Sequence, residues 1–99
     1  MEKSIYSQRY QILVDLLVAL RLEKGVSQIA LAEALHITQS SVSKCERRER
    51  RLDVIEVHAW CEALGTPFLQ VMQALEHKIS APSTPRKGRE IGSRGSRSK

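Results

Sequence analysis

The 99-residue sequence contains only two cysteines, and they lack the paired spacing of a zinc site. Cys45 and Cys61 fall at apolar positions of two separate predicted helices, which indicates reduced core residues of a cytoplasmic protein. The three histidines, His36, His58 and His77, are scattered singly, so they form no set of nucleophile, base and orienting residue. The sequence also has no glycine-rich phosphate loop. These absences argue against an enzyme and predict neither a metal ion nor a cofactor.

The sequence has no long hydrophobic run either. Its most apolar stretch, residues 12–20, is too short to span a membrane and is interrupted by Asp15. No small-residue cleavage site follows it, so we expect neither a membrane segment nor a secretion signal. With 41% apolar residues, the chain can bury one core and form one small domain without an enzyme-sized cleft.

The positive charge is concentrated at the C-terminus. Residues 1–79 contain ten basic and ten acidic side chains, whereas residues 80–99 contain six basic side chains and one acid. Pro, Gly, Ser and Arg dominate this last segment, which has too few apolar residues to order itself. We therefore divide the chain into a domain, residues 1–79, and a flexible basic tail, residues 80–99. The tail could add nonspecific phosphate contacts, or it could serve only as a solubilising appendage.

The spacing of apolar residues predicts five helices. The first covers residues 7–24 and stops at Gly25, and two further helices follow within residues 27–51. Asp53 begins the fourth with a capping-box pattern, and Gly65 follows its end. Pro67 takes the first position of the fifth, whose expected apolar face consists of Phe68, Leu69, Met72 and Leu75. Short connections between these helices predict a compact all-α domain.

Residues 27–51 have the pattern of a helix-turn-helix, in which the second helix enters the DNA major groove. Ser27 and Thr38 are favourable N-cap residues for its two helices. Thr38 would make residues 39–41 the first turn of the second helix, which we place at about 39–47 and expect to read the DNA sequence. Apolar residues fall where the two crossed helices must pack, namely Leu31, Ala32, Leu35, Ile37, Val42 and Cys45. The side chains expected to face outward on the second helix are Ser40, Ser43, Lys44, Arg47 and Arg51.

Half of the ten basic side chains of residues 1–79 lie between Lys44 and Arg51. A cluster of this kind can be an electrostatic footprint for phosphate, or a solvated helix end whose charges pair with Glu46 and Glu49. Beside a helix-turn-helix pattern, we favour phosphate binding.

The segments LRLEKGVSQIALAEAL, ITQSSVSKCERRERRLDVIEV and CEALGTPFLQVM occur in order between about Leu20 and Met72. In these segments the chain resembles the Cro-type, lambda-repressor-like (XRE) helix-turn-helix proteins of bacteria and phages. The resemblance implies a five-helix lambda-repressor-like fold in which Gln28 anchors the motif on a phosphate and braces Gln39. It assigns base reading to Gln39, Ser40 and Lys44. The full set of expected DNA-binding residues is Gln28, Thr38, Gln39, Ser40, Ser41, Ser43, Lys44, Arg47, Arg48 and Arg51.

The same resemblance implies a structural ion pair between Arg21, late in the first helix, and Glu46, near the end of the third. Two positions depart from the family pattern, because His36 and Arg48 stand where glycine is usual. Histidine can adopt the left-handed backbone conformation at some cost. Arg48 makes the end of the third helix the boundary that the sequence defines least well.

Together these features predict a sequence-specific regulator of transcription that binds a double-stranded DNA operator as a repressor. We expect a homodimer, because one such helix reads few base pairs and two half-sites about 34 Å apart supply specificity. The expected location is the cytoplasm of a bacterium or a phage host, at the nucleoid. The alternative is the antitoxin of a toxin–antitoxin pair, whose tail orders on a small protein partner and which also binds its own operator.

Overall fold

The computed structural model describes residues 4–80, which form five α-helices and, within that range, no strand. The fold class expected from the sequence is therefore confirmed for this part of the chain. The helices are α1 (Ile5–Glu23), α2 (Gln28–Leu35), α3 (Gln39–Glu46), α4 (Val54–Ala63) and α5 (Phe68–Ser80). Ser80, which we had assigned to the tail, ends α5, and the rest of the predicted tail lies outside the described residues.

Each of four helices follows an N-cap residue, whose side chain accepts a hydrogen bond from the backbone N–H three residues later. Ser27 caps α2 and Thr38 caps α3, each at 3.0 Å, and Asp53 forms a reciprocal capping box with Glu56 at the start of α4. The predicted start of α1 was wrong. Ser4 caps this helix, so α1 begins two residues earlier than the expected residue 7.

All five helices contribute to one core. α1 packs against α3 and α5, α2 packs against α3 and α4, and α4 packs against α5. Both cysteines are free thiols in this core, and burial raises the pKa of the Cys61 thiol. The buried apolar residues of the helices are Val14, Leu17, Leu31, Ala32, Val42, Cys45, Val57, Trp60, Cys61 and Val71.

The apolar face of α5 differs from the expected one. Of the expected residues, Phe68 and Met72 do pack against the core, but Leu69 is 73% exposed and Val71 is the buried residue. Leu69 and Val71 lie on opposite flanks of the stripe formed by the other three expected residues, so the sequence alone does not determine which of the two faces the core.

Two non-glycine residues adopt a left-handed backbone, His36 (φ 60°) after α2 and Arg48 (φ 64°) after α3. These are the positions where the family pattern has glycine. At Arg48 this conformation brings the amide N–H groups of Arg48 and Glu49 to the carbonyl groups of Cys45 (3.0 Å) and Lys44 (2.8 Å). The chain therefore turns away from the axis of α3 immediately after the helix ends.

The backbone strain at Arg48 predicts a stabilising substitution. Because a Cβ atom disfavours positive φ, Arg48→Gly is expected to stabilise the domain by about 1 kcal/mol relative to Arg48→Ala. Both variants remove the same charge, so the difference between their urea unfolding free energies isolates the backbone term. Equal stability of the two variants would show that the left-handed conformation costs little at this site.

Candidate nucleic-acid interface

α3 presents one buried face and one exposed face. Val42 and Cys45 are fully buried against the rest of the domain. The opposite face carries Gln39, Ser40 and Lys44, which are exposed. Since residues four apart lie above one another on a helix, these polar side chains form one continuous strip along α3.

The hydroxyl-bearing candidates lie within or beside this strip. Thr38 is exposed, and its hydroxyl donates to the Ser41 Oγ at 3.0 Å while accepting the Ser41 N–H. Ser41 and Ser43 are half-buried. Helical spacing places the hydroxyl group of Ser43 one turn after Gln39, within the polar strip, and those of Thr38 and Ser41 at its edge.

A chain of side-chain hydrogen bonds connects α1, α2 and α3 behind the strip. Arg21 binds Glu46 through two bonds, Nε to Oε2 at 2.6 Å and Nη2 to Oε1 at 3.0 Å, and also donates to the Val26 carbonyl at 2.8 Å. The side chains of the pair are only 10% and 7% exposed. Because the pair is bidentate and shielded from water, removal of either partner would leave a buried charge without a partner and would destabilise the fold.

The chain continues from the ion pair to the start of α3. Gln28, at the first position of α2, donates from Nε2 to Glu46 Oε1 at 2.8 Å. Its own Oε1 accepts a bond from Gln39 Nε2 at 2.6 Å. The carboxamide of Gln39 is therefore held in place by a continuous path that begins at Arg21 on α1.

The basic cluster after α3 contains its own acids. Arg47 donates to both carboxylate oxygens of Glu49, at 3.0 and 3.1 Å, and also to the hydroxyl of Ser43. The hydrogen bonds between Arg47 and Glu49 hold the pKa of the Glu49 carboxyl below its ordinary value and raise that of Arg47. Arg50 pairs with Glu56 at 2.9 Å.

The alternative interpretation of the cluster, as charges paired within the helix, is thus partly visible in the structure. Glu49 does pair with the cluster, through Arg47. Glu46 instead binds Arg21 of α1. Within residues 4–80, the salt bridges leave Lys44, Arg48 and Arg51 without an acidic partner.

The boundary of α3 corrects one expectation. The helix ends at Glu46 with Arg47 as its C-cap, so Arg48 and Arg51 lie in the α3–α4 loop, residues 47–53. The prediction that Arg51 lies on the outer face of the helix was wrong, because the left-handed turn at Arg48 ends the helix.

Arg51 has a partner that the sequence did not reveal. Its guanidinium carbon lies 4.0 Å from the centre of the Tyr10 ring on α1. The Tyr10 hydroxyl also accepts the backbone N–H of Leu52 at 2.9 Å. No local sequence pattern links Tyr10 with positions so far along the chain.

The described residues contain no group of three or more His, Cys, Asp and Glu side chains placed to hold a metal ion. Among the same residues, no helix combines the length and apolarity needed to cross a bilayer. What the geometry does offer is an exposed polar strip on α3 with cationic side chains at its end, a surface suited to hydrogen bonding with bases and phosphates.

Comparison with known proteins places this geometry in context. A family model described as helix-turn-helix matches residues 17–71. A solved structure of an XRE-family like protein from Pseudomonas syringae pv. tomato is 44% identical, with a TM-score of 0.73, and the match covers 79% of this chain and 93% of that one. The clp gene regulator ClgR from C. glutamicum is 25% identical, with a TM-score of 0.65, and the match covers 82% and 100%. A search of curated proteins found no match.

Proposed function

This chain belongs to the XRE family of helix-turn-helix proteins and is a DNA-binding transcriptional regulator, and we propose that it acts as a sequence-specific repressor. The observation that carries the proposal is the exposed polar strip of α3. It lies opposite the buried Val42 and Cys45, and its first residue, Gln39, is held by Gln28.

Base recognition is assigned to Gln39, Ser40 and Lys44. A glutamine carboxamide can pair with the major-groove edge of adenine, and a lysine can donate to guanine. Both side chains lie on the helix that would enter the groove, and Gln39 is its first residue. The hydroxyl groups of Thr38, Ser41 and Ser43, and the amide of Gln28, are assigned to phosphate or sugar contacts at the edges of the groove.

Phosphate attraction is assigned mainly to Lys44, Arg48 and Arg51, the cations of the cluster that lack an acidic partner within residues 4–80. Arg47 remains a candidate contact, but Glu49 neutralises it in the free protein. The affinity for DNA of any sequence should therefore depend more on the first three side chains than on Arg47.

Because only some of these cations are paired with an acid, their substitution should change the salt dependence of DNA binding to different extents. Arg51→Ala is expected to lower the slope of log affinity against log salt by about one unit, because one phosphate contact is lost. Arg47→Ala should lower it by less, since Glu49 loses its partner at the same time. Binding to a mixed-sequence duplex over a salt series measures both slopes, with Lys78→Ala at the far end of α5 as the control. Equal reductions for Arg51→Ala and Arg47→Ala would contradict the neutralising role of Glu49.

We infer that the protein binds its operator as a homodimer. The eight residues of α3 cover few base pairs, so a single copy would have little specificity. Two copies related by a two-fold axis would read half-sites about 34 Å apart along the duplex. Repression needs only that the bound dimer cover a promoter.

Selection of bound fragments from a random duplex library tests the proposal. We expect enrichment of an inverted repeat, and a promoter carrying that repeat should be less active when the protein is present. Absence of any enriched sequence would overturn sequence-specific recognition, and a single unrepeated site would overturn the homodimer.

The small protein partner of the antitoxin alternative is also a proposal, and it depends on residues 80–99, nearly all outside the described range. If that alternative were correct, a small protein would copurify with the full chain and would be lost on deletion of residues 80–99. We further infer that the protein has no enzymatic activity and works in the cytoplasm of a bacterium or a phage host, at the nucleoid.

A further inference from the structure

We propose that Tyr10 of α1 is a positioning residue for DNA binding, which holds Arg51 and the α3–α4 loop ready for a phosphate contact. The inference rests on the proposed function of α3 and its flanking cations. It adds a residue that lies well before the helix-turn-helix in the sequence to those that determine the affinity for DNA.

The first supporting contact is the stacking of Arg51 on the Tyr10 ring. At 4.0 Å from the ring centre, the guanidinium carbon lies well within the range of a cation–π interaction. Arg51 is exposed and forms no salt bridge within residues 4–80, so the ring is the contact that restricts its side chain.

The second supporting contact fixes the adjacent backbone. The Leu52 N–H donates to the Tyr10 hydroxyl at 2.9 Å, and the Leu52 side chain is itself buried, with 8% exposure. Tyr10 thus uses its ring for residue 51 and its hydroxyl for residue 52. Neither phenylalanine nor an aliphatic residue could make both contacts.

This arrangement suits phosphate binding because a guanidinium stacks through its face and donates hydrogen bonds from its edge. A guanidinium that stacks through one face keeps the N–H groups at its edge available for two parallel bonds to an anion. Holding the side chain in this orientation before DNA arrives reduces the entropy that is lost on binding.

A double-mutant cycle on the full chain tests the proposal, with a mixed-sequence duplex as the probe. Tyr10→Leu is expected to weaken binding about two- to fivefold, as for loss of one exposed cation–π contact. The same substitution should have almost no further effect in the Arg51→Ala background. Tyr6→Leu is the matched control, because Tyr6 lies on the same helix and is 75% exposed.

Tyr10→Phe separates the two contacts. It keeps the ring over Arg51 and removes the acceptor of the Leu52 N–H, so that amide should exchange with solvent faster than in the parent. Its DNA affinity should lie between those of the parent and Tyr10→Leu.

Two outcomes would overturn the inference while the parent binds DNA normally. One is a Tyr10→Leu variant that binds like the parent. The other is an equal loss with and without Arg51, which would indicate a general effect on the fold. A parent that bound no duplex would overturn the proposed function, and this inference with it.

Discussion

Replacing Arg21 by methionine is expected to destabilise the domain by about 3–5 kcal/mol, because it strands a carboxylate that the fold shields from water. Glu46 would lose both bonds from Arg21 and keep only the one from Gln28. The Val26 carbonyl would lose its Arg21 donor as well. A loss of this size is a large part of the stability of a small domain, so the melting temperature should fall sharply.

The double variant Arg21→Met with Glu46→Leu distinguishes stability from DNA binding. Removing both charges leaves no stranded carboxylate, so much of the stability should return. DNA affinity should stay low, because Gln28 has lost its acceptor and no longer holds Gln39 firmly.

Thermal melts followed by circular dichroism, together with DNA binding at one salt concentration, measure both effects. Arg9→Met, an exposed arginine on the same helix, is the control and should change neither. If Arg21→Met melted like the parent, the pair would have no structural role, and the orientation of α3 would depend on Val42 and Cys45 with their packing partners.

Gln39→Ala is expected to reduce discrimination between operator and unrelated DNA by about 1–3 kcal/mol, the value of one good bidentate contact to a base. The melting temperature should hardly change, because Gln39 is exposed and contributes nothing to the core. Ser40→Ala should act in the same direction with a smaller effect, since a hydroxyl does not make the bidentate contact that a carboxamide makes.

The ratio of affinities for a selected operator and a mixed-sequence duplex measures this discrimination. Gln73→Ala, an exposed glutamine on α5, is the matched control. Should Gln39→Ala keep the full ratio, α3 would not read the DNA sequence through its first turn.

Much of the fold could be predicted because the relevant signals are local. The N-caps Ser27, Thr38 and Asp53 each act within three residues, so their helix starts could be placed correctly. The burial of Val42 and Cys45 follows from helical periodicity, and the same periodicity leaves the strip of α3 exposed.

Predictions from the sequence were wrong where a tertiary contact or an unusual backbone conformation determines the structure. The assignment of Arg51 to the outer face of α3 was wrong, because Arg48 turns the chain without the glycine that normally signals such a turn. The burial of Val71 instead of Leu69 depends on how α5 lies against the core. The contact of Arg51 with Tyr10 could not be derived from spacing, since it depends on side-chain conformations in the folded protein.

The hydrogen-bond chain behind α3 also determines where the specificity of this protein could be redesigned. In the described part of the chain, no side-chain hydrogen bond involves Ser40 or Lys44, so substitutions there leave the support of the helix intact. Gln39 differs, because its amide is one end of a path that runs through Gln28 and Glu46 to Arg21. A new preference at the base that we propose Gln39 reads would therefore require a matching change at Gln28, and positions 28 and 39 form a single unit for redesign.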